Sequence, residues 1–196
     1  MTTLKIDPET TVLLPLDVQT DFVELTPGVK GAMLERMAQV IDRCRDRKVP
    51  IVYVTVSYRW PEYEAPATVP LLKMVREQEV VRAGMPGTAI HSALRPQPDE
   101  PVLNKTSIDP FLTTGLLPIL NSLRASTLVL FGLQTNYVVE ATARHAADLG
   151  YRVVILRDCC ASASQDMHDF AMDRILPGLV DSIITAEEFI AALTGK

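Results

Sequence analysis

The sequence contains little cysteine and histidine, the residues that build disulfide frameworks and zinc sites. Its three cysteines are Cys44, Cys159 and Cys160, and the last two are adjacent. They therefore cannot form the paired bridges that hold a small secreted protein together. The three histidines are scattered, and there is no Cys-x-x-Cys or Cys/His cluster. We expect a reduced, cytoplasmic protein without a structural zinc.

The chain also lacks a surplus of basic residues. Lys and Arg number 19 against 24 Asp and Glu, a formal net charge of −5. A nucleic-acid partner is not expected, because phosphate binding needs clustered cations, whereas a small anionic substrate needs only one local lysine. No apolar run approaches the roughly 18 residues of a membrane span. The segment 1–12 has no apolar stretch after a basic start, so neither a membrane segment nor a signal peptide is predicted.

A length of 196 residues with 47% hydrophobic residues predicts a single folded domain over residues 1–196, since domains typically have roughly 100–200 residues. Short β-rich runs alternate with helical stretches, and most runs are nearly continuous Val, Ile and Leu, as in parallel strands buried on both faces. The runs are Thr11–Asp17, Pro50–Ser57, Pro101–Lys105, Thr127–Gly132, Arg152–Arg157 and Asp181–Thr185. This pattern predicts an α/β fold, a three-layer α/β/α sandwich with a mainly parallel six-stranded sheet.

Helical periodicity fills the intervals between these runs. Apolar residues three and four apart predict a helix across Val29–Cys44 with a charged opposite face. The other candidates are Val69–Val81, Phe111–Leu123, Asn136–Leu149, Asp166–Leu176 and Ala186–Leu193. Gly115 and Pro118 are expected to break the start of the candidate that contains them. The segment Tyr58–Pro101 holds seven prolines, and its length predicts a functional loop or an oligomer contact.

Polar residues follow three of the predicted strands, at the ends where parallel sheets bind ligands. Asp17 ends the first run and Lys105 the third, while Thr135 and Asn136 open a helix after the fourth. A carboxylate beside an ammonium suits acid or base chemistry, and a helix N-terminus suits a developing oxyanion or an anionic substrate. Each residue also has a purely structural interpretation, since Asp is a common turn former and Thr or Asn a common helix cap.

Four motifs in chain order resemble those of the isochorismatase-like hydrolase superfamily, which includes nicotinamidases, carbamoyl-amide hydrolases and isochorismatases. Residues 17–22 (DVQTDF) resemble its D-x-Q-x-D-F opening, and Lys105 resembles its lysine. Residues 132–144 (GLQTNYVVEATAR) resemble its G-x-x-T-N-x-C-V-x-x-T-A-R block. Residues 158–162 (DCCAS) with His168 resemble its later D-x-C-A-S…H stretch. The resemblance implies an isochorismatase-like, Rossmann-like fold and a hydrolase of a small molecule.

The resemblance departs at the nucleophile, because the family's catalytic cysteine aligns with Val138. Valine has no lone pair for attack and no proton to transfer, so the acyl-enzyme route of the amidase branch is closed. Two further features are implied by the resemblance. One is the Asp17–Lys105 pair. The other is an oxyanion hole formed by the backbone N–H groups of Gln134 and Val138, with a cis peptide bond at Leu133–Gln134.

Isochorismatases of the superfamily lack the cysteine and hydrolyse a vinyl ether, which needs an acid and a water but no nucleophilic side chain. We therefore expect Asp17 to protonate an isochorismate-type substrate, while Lys105 holds a substrate carboxylate or tunes Asp17. The block around Val138 nevertheless resembles the amidase branch with only the nucleophile changed. A non-catalytic or repurposed small-molecule binding protein on a nicotinamidase-like scaffold is the alternative, and the sequence leaves open whether the chain is an enzyme.

The resemblance also implies the walls of the substrate pocket. The residues expected to bind the substrate are Gln19, Phe22, Arg59, Trp60, Gln134, Thr135 and Tyr137, with Tyr58 and Ile108 or Phe111 beside them. Arg59 could pair with a substrate carboxylate, which makes a carboxylic acid one candidate. The stretch in which nicotinamidases place metal ligands reads Ser57–Pro61 without histidine, so no metal or other cofactor is expected. Homo-oligomers are common in the family, and we expect one here, with a contact in Tyr58–Pro101.

Overall fold

Six parallel strands form one sheet in the computed structural model, which describes residues 6–29, 31–78 and 80–193. The spatial order is β3-β2-β1-β4-β5-β6, and each neighbouring pair is parallel. The strands are β1 (Thr11–Leu16), β2 (Tyr53–Val56), β3 (Val102–Lys105), β4 (Thr127–Leu133), β5 (Arg152–Ala161) and β6 (Ser182–Ile184). The predicted α/β fold is confirmed. Residues 1–5, which belong to the segment used to predict the lack of a signal peptide, lie outside the described residues.

The continuous apolar runs form the interior of the sheet. Every residue of β1, β2 and β4 is buried, whereas the edge strands β3 and β6 are partly exposed. The predicted end of the fifth strand at Arg157 is wrong, because β5 continues to Ala161. The extension pairs Cys160 and Ala161 with Gly132 and Leu133 beyond a register shift. This pairing is a contact between two strands, so the local sequence pattern does not predict it.

Helices connect the strands and cover the sheet. Those within the described residues are α1 (Thr20–Leu25), α2 (Ala32–Asp46), α3 (Pro61–Glu64), α4 (Pro70–Glu77), α5 (Pro110–Thr113), α6 (Leu116–Ser122), α7 (Glu140–Asp148), α8 (Gln165–Phe170) and α9 (Ala186–Ala192). The buried face of α2 consists of Met37, Val40, Ile41 and Cys44, as its periodicity predicts. In the part of the chain that the structure describes, no helix has the length and apolarity needed to cross a bilayer.

Three predicted helices are interrupted. The candidate over residues 111–123 divides into α5 and α6 at Gly115, close to the expected break. The candidate over 136–149 begins with a π-helical turn, Thr135–Val139, before α7. The candidate over 166–176 consists of α8, a second π-helical turn at Ala171–Ile175 and a 3₁₀ turn at Leu176–Gly178. Periodicity therefore locates these helices but does not predict their internal changes of pitch.

The proline-rich segment 58–101 is structured. It contains α3, α4 and two 3₁₀ turns, Pro86–Thr88 and Ser92–Leu94, so the helix expected near 69–81 is confirmed. A second apolar cluster holds this segment together, and its buried members are Val56, Tyr58, Ala65, Leu72 and Val81. The backbone of Tyr58 also bonds with Val81 and Ala83 at 2.9 Å. These contacts fold the segment back against the end of β2.

The strand order reverses between β1 and β4, and open α/β sheets bind ligands at such a switch point. Gly132 lies at this point, with a φ of +148°. A Cβ atom there would overlap the carbonyl oxygen of Leu16, so only glycine lets the two strands approach this closely. The carboxyl ends of β1 and β4 therefore lie side by side and open into one crevice.

Candidate functional site

Asp17 lies directly after β1, at the switch point. Its φ of 51° falls in the left-handed region, which residues with a Cβ rarely occupy. Its backbone N–H donates to the carbonyl oxygen of Val54, with an N···O distance of 2.9 Å, and the residue is only 4% exposed. Lys48, Val81 and Arg124 share this conformation, so the bend draws attention to Asp17 because it coincides with the switch point, where ligands bind in such sheets.

Lys105, the last residue of β3, pairs with Asp17 across the end of β2. Its Nζ lies 2.8 Å from Oδ2 of Asp17, and the side chains are 3% and 6% exposed respectively. The other carboxyl oxygen of Asp17, Oδ1, is buried and has no hydrogen-bond partner among the described residues. The two oxygens are therefore inequivalent: Oδ2 is held by a cation, and Oδ1 can interact with a ligand.

Burial raises the pKa of the Asp17 carboxyl above its ordinary value of 3.8, although the charge and the hydrogen bond of Lys105 both act to lower it. Desolvation disfavours the ionised form of a carboxyl group. The group therefore keeps its proton to a higher pH than an exposed aspartate does, as a general acid at moderate pH requires. Because the ammonium of Lys105 occupies Oδ2, the proton belongs on Oδ1.

A cavity of about 580 Å³ opens at this pair, which is within the usual range for small-molecule sites. Asp17 and Lys105 line it, and the predicted residues Phe22, Gln134, Tyr137 and Val138 line it with them. Val138 is 2% exposed and presents an aliphatic surface. Tyr58 and Ile108, which were expected beside the substrate, also line this cavity. The structure thus brings together six of the ten residues predicted for the site.

The other four predicted site residues lie outside the lining of this cavity. Gln19 is fully buried, and its side-chain amide bonds with the backbone of Val56 and Thr88 at 2.8–2.9 Å. Thr135 is also fully buried, and its Oγ1 lies 2.9 Å from Nδ1 of His168. The polar atoms of these two side chains are thus bonded to other parts of the protein. Both side chains connect segments around the site and do not face the cavity.

Arg59 and Trp60 are placed in a neighbouring cavity of about 210 Å³. The Arg59 guanidinium lies 5.3 Å from the centroid of the Trp60 ring, and both backbone N–H groups donate to the Glu64 carboxylate. Phe111, the alternative to Ile108, stacks on His145 with ring centroids 4.6 Å apart. Arg59 and Trp60 therefore face this second cavity, and Phe111 lies on α5, outside segment 58–101.

The turn after β4 forms the cavity wall beside Val138. The Leu133–Gln134 peptide bond is cis, as predicted. The Gln134 side chain donates from Nε2 to Oγ1 of Thr26 at 2.8 Å, and the Val138 carbonyl accepts from Oγ1 of Thr142 at 2.6 Å. Together with the Thr135–His168 contact, these bonds fix the turn to three neighbouring elements and hold Gln134 and Val138 at the cavity.

Part of the cavity wall was not foreseen from the sequence. α4 contributes Leu71, Met74 and Val75, and α8 contributes Met167. The spacing of the three α4 residues along one helical face was the available signal. Their position over the site could not be inferred, because it depends on how segment 58–101 folds back.

The thiols lie apart from this cavity. Cys44, Cys159 and Cys160 are free and buried, and none of them belongs to the described cavity lining. Burial raises the pKa of all three, that of Cys160 to about 12, so they lack the thiolate character that a nucleophile needs. Within residues 6–29, 31–78 and 80–193, no group of three His, Cys, Asp or Glu side chains could hold a metal ion.

The fold, the switch-point cavity and the buried acid–lysine pair define an α/β protein with a cavity of small-molecule size at the carboxyl edge of its sheet. A sequence model of the isochorismatase domain matches residues 11–188. The chain therefore belongs to the isochorismatase family, as the resemblance predicts.

Two curated relatives are each 31% identical to this chain. One is a maleamate amidohydrolase from Pseudomonas putida, aligned over 143 residues that cover 73% of this chain and 66% of that protein. The other is a streptothricin hydrolase from Streptomyces noursei, aligned over 163 residues that cover 80% of this chain and 53% of that protein. The chain thus spans about two thirds of the first relative and about half of the second.

Solved structures agree over nearly the whole chain. An isochorismatase family protein from Burkholderia thailandensis is 30% identical and superimposes with a TM-score of 0.85, covering 99% of this chain and 100% of that one. A cysteine hydrolase from Pseudomonas syringae is 21% identical, with a TM-score of 0.83 and coverage of 97% and 95%. The second comparison shows a shared fold alone.

Proposed function

We propose that this chain is a small-molecule hydrolase that works without a cysteine nucleophile and uses Asp17 as its general acid. The observation that carries the proposal is the asymmetry of the Asp17 carboxyl. Oδ2 is held by Lys105 at 2.8 Å, whereas Oδ1 is buried without a hydrogen-bond partner among the described residues. Burial raises the pKa of this carboxyl, which favours the form that can donate a proton.

Val138 determines which hydrolysis is compatible with the site. In our proposal it occupies the position of the family's nucleophilic cysteine, and its side chain lines the cavity. The described lining includes one serine, Ser107, which follows Lys105 by two positions in the chain. However, its Oγ is engaged with the Asp109 carbonyl at 2.6 Å and with Oγ1 of Thr113 at 2.8 Å. A reaction in which water is the nucleophile therefore fits the site better than an acyl-enzyme route.

Acid-catalysed hydrolysis of a vinyl ether, as in isochorismate-type substrates, meets this requirement. Asp17 donates its proton from Oδ1 to the terminal carbon of the double bond, which leaves an oxocarbenium ion and an aspartate paired with Lys105. Water adds to the cationic carbon and releases a proton, which returns to Asp17. The resulting hemiketal or hemiacetal then breaks its carbon–oxygen bond to give an alcohol and a carbonyl compound. The lysine stabilises the aspartate that forms during the reaction.

The proposal is tested with two vinyl ethers. Isochorismate releases pyruvate, and hexyl vinyl ether releases acetaldehyde by the same chemistry without any carboxylate. We expect hydrolysis of at least one of them by the native chain, and loss of that activity by about 10²–10⁴-fold in Asp17→Asn, the usual contribution of a general acid. Lack of turnover of both substrates by a folded native chain would contradict the proposal. Full activity of folded Asp17→Asn would contradict the role of Asp17.

A second candidate function is a non-catalytic or repurposed binding protein on an amidase-type scaffold. It is favoured by the block at residues 132–144, which keeps the amidase pattern apart from Val138. Val138→Cys distinguishes the two functions. If the chain is a former amidase, the variant should gain activity towards small amides such as maleamate, while the native chain hydrolyses neither vinyl ethers nor amides. If the vinyl-ether proposal holds, Asp17-dependent turnover is already present before the substitution.

We further infer that the chain acts as a cytoplasmic homo-oligomer built from one domain. The three cysteines, Cys44, Cys159 and Cys160, form no disulfide, and this supports the compartment because disulfides are rare in the reducing cytosol. Several large apolar side chains of segment 58–101 are exposed, among them Trp60, Tyr63 and Met85. Exposed aromatic and methionine side chains are typical of protein interfaces.

A further inference from the structure

The wall of the site cavity beyond the Asp17–Lys105 pair is mainly apolar. α4 directs Leu71, Met74 and Val75 into it, and Phe22 and Ile108 add further hydrophobic surface. The ionised side chains of α4 lie off this face. Lys73 pairs with Glu77 on the exposed side of the helix, and Arg76 lines the neighbouring cavity of about 210 Å³. A ligand that extends from Asp17 therefore meets hydrophobic surface along its body.

The cavity is also poor in positive charge. Among its described lining residues, the acidic and basic side chains are Asp17, Asp21 and Lys105, and Lys105 is already bound to Asp17. Asp21 packs directly over Gly87, where a Cβ atom would overlap its carboxylate. Three arginines of segment 58–101 line the neighbouring cavity of about 210 Å³ instead: Arg59, Arg76 and Arg82. A carboxylate at the far end of a ligand would thus have an apolar wall and a second carboxylate as neighbours.

From these contacts we propose that the cavity takes an uncharged molecule with an apolar body and a single polar head, the head bonding to Oδ1 of Asp17. A second, distal carboxylate is unfavourable, because burying a carboxylate without a cation is far more costly than burying a neutral group. The inference rests on the proposed function only in taking this cavity as the substrate site. It narrows the proposed vinyl ethers to neutral hydrophobic ones, of which hexyl vinyl ether is the example, in preference to an isochorismate-like diacid.

A primary amide is a suitable probe for this head-group site. Its carbonyl accepts from Oδ1 when Asp17 is protonated, and its N–H donates to Oδ1 when Asp17 is ionised. Butanamide and hexanamide differ only in the length of the apolar body. Adipamate is hexanamide with a carboxylate in place of the terminal methyl group, so this pair isolates the effect of distal charge.

Calorimetric titration of the full chain with these three probes tests the proposal. Each added methylene should lower Kd about fourfold if the body is buried against apolar surface. Hexanamide should bind at least tenfold more tightly than adipamate. The proposal is overturned if adipamate binds as tightly as hexanamide, if Kd does not depend on chain length, or if hexanamide shows no saturable binding.

A variant that adds a positive charge to the cavity wall tests whether the probe binds in this cavity. Leu71→Arg places a cation in the half-buried wall contributed by α4 and should tighten adipamate binding at least tenfold. Leu112→Arg is the matched control, because Leu112 is 69% exposed on α5 and outside the described cavity lining, so it should leave adipamate binding unchanged. Equal effects of the two variants would contradict this cavity as the site. Binding requires no turnover, so hexanamide can behave as expected even if no vinyl ether is hydrolysed, and the two proposals fail separately.

Discussion

At the scale of single residues, the site depends on a carboxyl group that experiences two opposing influences. Burial favours the neutral form of Asp17, whereas the ammonium of Lys105 favours the ionised form. Burial is the larger effect, so the pKa is raised. Such an arrangement is poorly explained as a device for stability, because the desolvation of a buried ion pair offsets most of its attraction. It is well suited to an acid that must become an anion and then recover its proton.

Activity should therefore decline as the pH rises through the pKa of Asp17. The reactive form is the protonated one, so kcat/KM on hexyl vinyl ether should be constant below the folded-state pKa, which lies above 3.8. Above it, kcat/KM should fall about tenfold per pH unit. Lys105→Met removes the charge and the hydrogen bond that lower this pKa, so the declining limb should move to higher pH. The comparison is made from pH–rate profiles corrected for spontaneous acid hydrolysis. A limb that moves to lower pH in Lys105→Met would refute the assignment.

At the scale of secondary-structure elements, the site is created by the close approach of β1 and β4. The two strands pair from Thr11 with Thr127 to Leu16 with Gly132, and the chain leaves both at the switch point. Gly132 makes the last step of this pairing possible, since the Leu16 carbonyl oxygen occupies the space of a side chain. The glycine of the 132–144 block is therefore explained by packing between two strands rather than by contact with a ligand.

Gly132→Ala should be strongly destabilising. The added methyl group must displace the β1 backbone, and the residue must keep a φ of +148°, so we expect a loss of roughly 2–4 kcal/mol in the free energy of unfolding. Urea denaturation followed by circular dichroism measures it. Gly178→Ala is the matched control, because a Cβ there meets open space and should change stability by less than about 0.5 kcal/mol. Similar losses for both variants would show that the β1–β4 contact is not limiting.

At the scale of the whole molecule, segment 58–101 has two functions in our interpretation. Its inner face closes the cavity through α4, and its outer face carries exposed apolar side chains, with Tyr63 at 88% and Trp60 at 57% exposure. An interface on the outer face would hold α4 in place over the site, so assembly and ligand binding would be linked.

Light scattering on the native chain should accordingly show a homo-oligomer. Tyr63→Ser removes the most exposed of these aromatic side chains and should increase the dissociation constant by at least tenfold, as expected for a central aromatic contact. Leu149→Ser is the control, because Leu149 follows α7 and is 44% exposed outside the segment. A monomeric native chain, or equal weakening by both variants, would rule out this interface.

The architecture could be read from the sequence because it depends on local patterns. Continuous apolar runs located the strands, and the polar residues after them located Asp17 and Lys105, which the sheet order then brings together. The path of segment 58–101 depends on tertiary contacts, such as the backbone bonds between Tyr58 and Val81. For that reason the sequence predicts Arg59 and Trp60 at the cavity and gives no sign of Leu71. The resemblance likewise predicts Gln19 at the substrate, since its motif gives no sign that its amide faces the backbone of β2.

The inequivalence of the two Asp17 oxygens has a stereochemical consequence. Because Lys105 holds Oδ2, the proposed acid delivers its proton from Oδ1, and therefore from one direction relative to the cavity wall. A ligand held by the apolar side chains of α4 presents one prochiral face of its double bond to that oxygen. Hydrolysis of a substituted vinyl ether in heavy water would then yield a product with a single configuration at the deuterated carbon, whereas spontaneous acid hydrolysis yields both.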